Sequence, residues 1–184
     1  MKTKFIEEEI KYVGSQLAPH WIYKNFKIQG DAIVAFIGEC EVNLSEMVDI
    51  EDVINDEPIY SRSMLSFISE QFGISLLEGV FRQRLLICII KELLEEKGVF
   101  VVRNGDDLMI NNKKLSVSIA TKSITSILIH TGLNIISEGA PVEASGLMSD
   151  LNISNIKEFA IEIMNRYVKE IEDIKLASTK VRGV

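Results

Sequence analysis

The stretch that decides the fold class runs Arg103-Asn104-Gly105-Asp106-Asp107-Leu108-Met109-Ile110-Asn111-Asn112-Lys113-Lys114-Leu115-Ser116. Two clusters of turn-forming residues, Asn104-Gly105-Asp106 and Asn111-Asn112-Lys113, alternate in it with short apolar runs. Asn, Gly and Asp tolerate the backbone conformations that tight hairpins require. The stretch therefore predicts an antiparallel meander with strands at residues 99–103, 107–110, 114–121 and 124–134.

The strand that follows the second turn carries a candidate ligand-binding face. Because side chains alternate along a strand, one face is expected to be small and charged and the other apolar, against the core. A small-residue face leaves room for a ligand, and the Lys114 ammonium at its edge would hold an anion or polarise a carbonyl. The alternative is a solvent-exposed face with an ordinary surface lysine. The first face comprises Lys114, Ser116, Ser118 and Ala120, and the second Leu115, Val117 and Ile119.

Asp107 begins the neighbouring arm of this hairpin. Its carboxylate is a candidate either to orient Lys114 or to bind a magnesium ion that carries nucleotide phosphate. The alternative is that Asp106 and Asp107 are turn residues only, since Asn-Gly-Asp is favoured in tight hairpins.

Two other segments carry polar side chains that suit a site. Residues 14–30 are expected to be a loop that holds Gln16, His20 and Trp21, and His20 would stack on a ligand or transfer a proton. The alternative is that His20 only caps the loop. His130 and Asn134 share one face of the last meander strand, where a histidine is more often structural than catalytic.

Hydrophobic periodicity and capping signals predict the remaining elements. Ser75 and Glu78 form a capping box before a helix over residues 76–97 that ends at Gly98. Asn155 and Glu158 begin a last helix, and a further helix is predicted over 63–72. Strands are predicted at 5–13, 31–43 and 47–53. The fold class is therefore α+β, a mostly antiparallel sheet backed by helices, in one domain over 1–184 with a frayed tail from residue 178.

Composition excludes several function classes. The chain has 184 residues, 20 Lys+Arg and 27 Asp+Glu, a net charge of −7, which argues against nucleic acid as the main partner. The longest apolar run is far shorter than the roughly 20 residues that span a bilayer, and the N-terminus does not resemble a secretion signal.

Two cysteines, Cys40 and Cys88, favour a reducing cytoplasm. The histidines and cysteines are too scattered for a zinc site, and no metal site is predicted.

The hairpin stretch, continued by Ile129-His130-Thr131-Gly132-Leu133-Asn134, resembles the catalytic domain of biotin and lipoate protein ligases. In that superfamily an Arg-Asn-Asp-like stretch opens a hairpin, a strand with lysine returns, and a Gly-hydrophobic-Asn strand follows. The resemblance implies that Lys114 contacts the acyl group and adenylate, Asp107 is the hairpin aspartate, and Arg103 is the leading basic residue. Two features depart from the pattern: residues 16–21 lack the Gly- and Arg-rich nucleotide loop, and Val117 replaces a glycine.

More of the chain resembles an uncharacterised protein family, known mainly from archaea and some bacteria, that is grouped with the biotin/lipoate ligase fold. The segments that carry this resemblance are Gly14-Ser15-Gln16-Leu17 with His20-Trp21, Gly30-Asp31, Met47-Val48-Asp49-Ile50-Glu51-Asp52 and residues 129–134. Membership of this family implies the architecture and leaves the activity open.

Together these observations predict a protein that binds a small carboxylate or acyl compound. It is either an acyl- or adenylate-transferring enzyme or a non-catalytic ligand-binding or regulatory module that lost the nucleotide loop. ATP with magnesium is the candidate cofactor. The expected partners are a small molecule or an acyl carrier, and a second copy through a sheet edge. The candidate catalytic residues are Lys114, Asp107 and His20, and the candidate binding residues are Gln16, Trp21, Arg103, Ser116, Ser118, His130 and Asn134.

Overall fold

The computed structural model describes residues 1–140 and 142–183, which form eight strands and four α-helices. The order along the chain is β1 (Lys2–Phe5), α1 (Trp21–Phe26), β2 (Ala32–Val42), α2 (Ile50–Ile54), β3 (Ile59–Phe72), α3 (Leu76–Glu96), β4 (Val102–Asn104), β5 (Asp107–Ile110), β6 (Lys113–Lys114), β7 (Ser116–Lys122), β8 (Ser126–Ile136) and α4 (Ile156–Ala177). A five-stranded sheet has the order β1-β2-β3-β8-β7, with β1 parallel to β2 and the other pairs antiparallel. The predicted α+β class, with a mostly antiparallel sheet, is confirmed.

One face of this main sheet packs against α3 and α4. Inward-facing residues of β3 and β8, among them Leu65, Phe67 and Leu133, join the apolar stripes of both helices in the larger hydrophobic core. The predicted helix boundaries are close to those observed, because the caps form: the Ser75 hydroxyl accepts from the Glu78 amide, and the Asn155 side-chain carbonyl does so for Glu158. The Glu78 carboxylate, however, contacts Arg82 rather than closing the box.

The other face of the main sheet is covered by the N-terminal segment and α1. A second apolar cluster gathers Tyr12, Ile22, Val34, Phe36 and Met64 there. β1 overlaps the strand predicted at 5–13 only at Phe5. The rest of that predicted strand runs beside β2 and is joined to it by isolated backbone hydrogen bonds, as far as the bridge between Tyr12 and Cys40. The segment lies close because Gly38 has no side chain: an added Cβ would stand 2.0 Å from the Ile10 carbonyl oxygen.

Residues 63–72 form part of β3 and not the predicted helix. Both faces of this central strand are buried, since Met64 and Ile68 join one cluster while Leu65 and Phe67 join the other. A strand that is apolar on both faces loses the polar alternation that identifies a strand from sequence. The periodicity of these residues is therefore uninformative.

Two further expectations are wrong at the level of local structure. Residues 47–53 are not a strand; Asp49 caps the short helix α2 by accepting from the Glu51 amide. Residues 14–30 are not wholly a loop, because they contain α1, which begins after His20 at φ 62°.

The predicted meander is divided between two sheets. β4, β5 and β6 form a separate three-stranded sheet, whereas β7 and β8 belong to the main one. Leu115 lies between β6 and β7 and is fully buried, and its amide donates to the Leu108 carbonyl. This break at Leu115 sets which side chains of β7 face each side of the sheet.

Candidate functional site

A cavity of about 480 Å³ opens on the face of the main sheet opposite α3 and α4. Its apolar wall comes from Tyr12, Val42, Met64, Val117 and Ile119. The small sheet contributes Lys114, Asp106 and Asp107, the chain between β2 and β3 supplies most of the acidic side chains, and residues 140, 142 and 144 also contribute. The cavity therefore lies where the two sheets meet.

Lys114 and Asp107 form an ion pair in this cavity, with 3.0 Å between Nζ and Oδ1. The backbone of Lys114 is fixed from both sides, since its amide donates to Glu143 O and its carbonyl accepts from Ser145 N. Both side chains are about one third exposed, 37% and 35%, so each can reach a ligand. Asp107 and Lys114 are therefore in contact, and the role of Asp107 in orienting Lys114 stays a prediction.

His130 and Tyr12 lie stacked in the wall of the cavity, with ring centroids 3.8 Å apart and planes at 12°. His130 Nε2 is 3.3 Å from the Ser66 hydroxyl. Burial lowers the pKa of His130 to about 3 and raises the pKa of Tyr12. Both rings are therefore uncharged at neutral pH.

Asn134 also lines the cavity. Its side-chain amide donates to the Lys114 carbonyl over 3.4 Å, and its backbone amide donates to Leu115 O. Asn134 therefore joins β8 to the hairpin that carries Lys114.

The serine hydroxyls of β7 are engaged away from the cavity, contrary to expectation, although Ser118 is among the residues that line the cavity. The Ser118 hydroxyl lies 2.8 Å from that of Thr131 and accepts from Gln83 of α3, so its side chain faces the helices. The Ser116 hydroxyl is buried and accepts from the Leu108 amide. Because of the break at Leu115, Val117 and Ile119 line the cavity, as does His130, the strand neighbour of Ile119.

The acidic lining is the feature that the sequence interpretation missed. Eight carboxylates line the cavity: Glu46, Asp49, Glu51, Asp52, Asp56, Glu57, Asp106 and Asp107. Burial, and then the neighbouring Asp49, raise the pKa of Asp52. Burial also raises the pKa of Asp106, although Arg84 and Gln83 contact its carboxylate and oppose that shift. The run of acids around residues 46–57 is the available signal, but in the sequence it is more typical of a solvated edge than of a binding site.

The structure does not bring His20 and Trp21 to Lys114. His20 lines a second, smaller cavity of about 300 Å³ with Glu70 and Phe72. Its backbone amide donates to the Glu70 carboxylate, and its ring stacks near Phe72. Trp21 packs against Phe26 and Phe36 in the second apolar cluster.

Gln16 and Arg103 are likewise outside the cavity lining. The Gln16 side chain accepts from the Val13 amide and donates to the Lys11 carbonyl, which fixes the turn after the N-terminal segment. Arg103 donates to the Gly105 carbonyl within its own hairpin. Both residues therefore stabilise local backbone.

The lining does not fit ATP with magnesium. Among the described residues that line the cavity, Lys114 is the only Lys or Arg, and it is already paired with Asp107. Phosphate recognition needs cationic or backbone donors, whereas carboxylates repel phosphate oxygens. Within residues 1–140 and 142–183, no group of three or more His, Cys, Asp or Glu is placed to hold a metal ion.

Comparison with known proteins gives the family. A family described as "Domain of unknown function (DUF366)" matches residues 1–182. The chain belongs to the DUF366 family. This DUF366 chain is 39% identical to the uncharacterised protein MJ0805 of Methanocaldococcus jannaschii over 181 residues, 95% of the chain and 81% of that protein. A solved protein of unknown function from Pyrococcus horikoshi is 41% identical, with a TM-score of 0.92 over 100% of this chain and 98% of the other.

Solved ligases share the fold at much lower identity. A mutant of biotin protein ligase from Aquifex aeolicus, in complex with biotin, gives a TM-score of 0.58 at 13% identity over 95% of this chain and 72% of that one. LipL1 of P. falciparum in complex with lipoate gives 0.57 at 13% identity over 94% and 63%. The predicted family and the predicted ligase-like architecture are both confirmed. No helix among the described residues is long and apolar enough to cross a membrane.

Proposed function

We propose that this DUF366 protein binds a small carboxylate or acyl compound in the 480 Å³ cavity, with Lys114 contacting the carboxyl or acyl oxygen. The observation that carries the proposal is the position of Lys114 beside an apolar wall in a ligase-like fold. An aliphatic chain would pack on Met64, Val117 and Ile119, while its charged end meets the ammonium.

The Asp107 carboxylate competes with a bound carboxylate ligand for the Lys114 ammonium. A carboxylate ligand must share Lys114 with Asp107, whose oxygen is 3.0 Å away. The Asp107 pair therefore keeps the ammonium in position when no ligand is bound, and it limits the affinity for simple anions.

A non-catalytic module is the second candidate function, and the acidic lining supports it. Acyl-adenylate formation needs a bound nucleotide, and eight carboxylates against one lysine disfavour a triphosphate in this cavity. In the enzyme alternative, acyl or adenylate transfer would require a nucleotide site formed with a partner or after rearrangement of the chain between β2 and β3.

Thermal-shift measurements with octanoic acid, lipoate, biotin and ATP test the proposal. We expect at least one carboxylate compound to raise the melting temperature of the wild-type chain, because a ligand at 100 times its Kd stabilises by about 2.7 kcal/mol. Lys114→Met, which keeps most of the side-chain volume, should weaken that binding roughly tenfold, the size expected for a hydrogen bond to a charged group.

Lys113→Met is the matched control, since Lys113 precedes Lys114 on the same strand and is absent from the lining. Equal affinity of wild type and Lys114→Met for the bound carboxylate would overturn the role of Lys114. A shift with ATP would favour the enzyme, and a carboxylate shift without any effect of ATP would favour the module.

We also propose partners and a cellular location, on the basis of the open cavity and of the two free cysteines. A free small molecule is the first candidate partner and an acylated carrier protein the second, because either can present an acyl chain to the open cavity. A cytoplasmic location is proposed because neither cysteine forms a disulfide: Cys40 is buried and Cys88 partly so, and both are free.

A further inference from the structure

Among the described residues that line the cavity, the stacked Tyr12 and His130 are the most buried polar residues. Tyr12 and His130 are each only 3% exposed, and both belong to the cavity lining. Apart from the Ser66 hydroxyl beside His130, this end is formed by Met64, which lies against Gly132, where an added Cβ would stand 2.2 Å from the methionine sulfur. This end of the cavity is therefore a largely apolar recess with two polar rings.

Each ring has a polar atom without a partner in the described part of the chain. His130 Nε2 meets the Ser66 hydroxyl at 3.3 Å, but no described residue forms a hydrogen bond with Nδ1 or with the Tyr12 hydroxyl. Every fully enclosed side-chain nitrogen or oxygen among the described residues does have a partner. Nδ1 and the hydroxyl therefore border open space, and the open space that both residues line is the cavity.

We propose that Tyr12 and His130 form a polar subsite at this end of the cavity, which binds a neutral hydrogen-bonding group of the ligand, such as a hydroxyl or an amide. The inference rests on the proposed function, because Lys114 takes the carboxyl end of the same molecule. A neutral group fits because neither ring carries charge at neutral pH, so a charged group would find no counter-charge in the recess.

The spacing defines the shape of the ligand. Asn134 contacts the Lys114 backbone, and His130 precedes it by four residues on β8. At a rise of about 3.3 Å per residue the two positions are about 13 Å apart along the strand. This separation is between backbone positions, and on that basis we expect the ligand to be an elongated carboxylic acid with a neutral polar group at its far end.

Calorimetric titration of three acids with the same twelve-carbon chain tests the subsite: dodecanoic acid, 12-hydroxydodecanoic acid and 12-aminododecanoic acid. We expect the wild-type chain to bind the hydroxy acid about tenfold more tightly than either of the others, because only the hydroxyl pairs with the two rings. Tyr12→Phe should abolish the preference for the hydroxy acid over dodecanoic acid. A wild-type preference for dodecanoic acid, or an unchanged preference in Tyr12→Phe, would overturn the subsite.

The same titrations separate the subsite from the proposed function. If Lys114→Met weakens all three acids but no preference exists, the subsite is wrong and the function stands. If the preference exists and Lys114→Met has no effect, the function is wrong and the subsite stands. Absence of binding by all three acids would overturn the subsite, and the thermal-shift result with octanoic acid, lipoate and biotin would then decide the function.

A second buried tyrosine provides the control for folding. The Tyr167 hydroxyl accepts from Gln71 Nε2 at 2.9 Å, so Tyr167→Phe removes a hydrogen bond that the free protein makes. We expect Tyr167→Phe to lower the melting temperature of the ligand-free chain and Tyr12→Phe to leave it unchanged or raise it. An equal decrease in both variants would mean that the Tyr12 hydroxyl already has a protein partner, and the subsite would be wrong.

Discussion

His130 is a buried histidine whose environment keeps its ring uncharged. It is held neutral between Tyr12 and Ser66, and burial lowers its pKa to about 3. The unfolded chain binds a proton at this position near pH 6.5, whereas the folded chain does not until about pH 3. The unfolding free energy is therefore unaffected by protonation of His130 above about pH 6.5. It decreases as the pH falls from there toward 3, because only the unfolded chain takes up the proton.

We predict that His130→Gln changes the pH profile of stability. The unfolding free energy of wild type minus that of the variant should be constant above about pH 6.5 and should decrease by up to about 1.4 kcal/mol per pH unit between about pH 6 and pH 4. Urea unfolding at a series of pH values measures both profiles. Parallel profiles over that range would contradict the assignment of a neutral, buried His130.

Some side-chain contacts of the candidate site can be predicted from the sequence, and the pair Lys114 and Asp107 is one of them. Their pairing is predictable because Asp107 and Lys114 are on facing arms of a hairpin whose turns are clear in the sequence. The partners of Ser116 and Ser118 are not predictable, since the facing of β7 depends on the break at Leu115. The contact between Tyr12 and His130 joins two segments that are far apart along the chain, and no local pattern indicates it.

At the scale of elements, helices with caps are predictable and buried strands are not. The caps of α3 and α4 depend on residues within one turn, so both helices are identified from the sequence alone. β3 is buried on both faces and so lacks the alternation that identifies a strand. The short helix α2 forms where a strand is predicted, and Asp49 caps it. Local hydrogen bonds are visible in a sequence, whereas burial by distant elements is not.

We predict that Ser75→Ala lowers the unfolding free energy by about 1 kcal/mol, because the Glu78 amide loses the hydroxyl that accepts its hydrogen bond. Ser75→Asp retains an acceptor and should restore nearly all of that stability. Urea unfolding of the two variants beside wild type measures the effect. A loss of similar size in Ser75→Asp would mean that the hydroxyl acts in some way other than as a cap.

The second apolar cluster of the molecule forms because the N-terminal segment covers one face of the main sheet. This segment carries Tyr12, and it approaches β2 closely only because Gly38 leaves space for the Ile10 carbonyl. The ligase-like architecture, in contrast, is retained at 13% identity across 95% of this chain, as the comparison with biotin protein ligase shows. The overall layers therefore tolerate extensive substitution, while the cavity depends on a few close contacts.

We predict that Gly38→Ala destabilises the chain by about 1–3 kcal/mol, because the added methyl would overlap the Ile10 carbonyl and displace the segment. The control is Gly183→Ala, where an added Cβ meets nothing within 4 Å. Unfolding free energies from urea titrations compare the two. Equal stability of Gly38→Ala and Gly183→Ala would contradict the close approach at Gly38.

Trp21 is the single tryptophan of the chain, and it packs against Phe26 and Phe36 on the cavity side of the sheet. The indole is in the smaller apolar cluster and not between the sheet and the long helices. Its intrinsic fluorescence therefore reports loosening of that cluster separately from the helical circular dichroism of α3 and α4. The protein thus carries its own optical reporter for the layer that holds Tyr12.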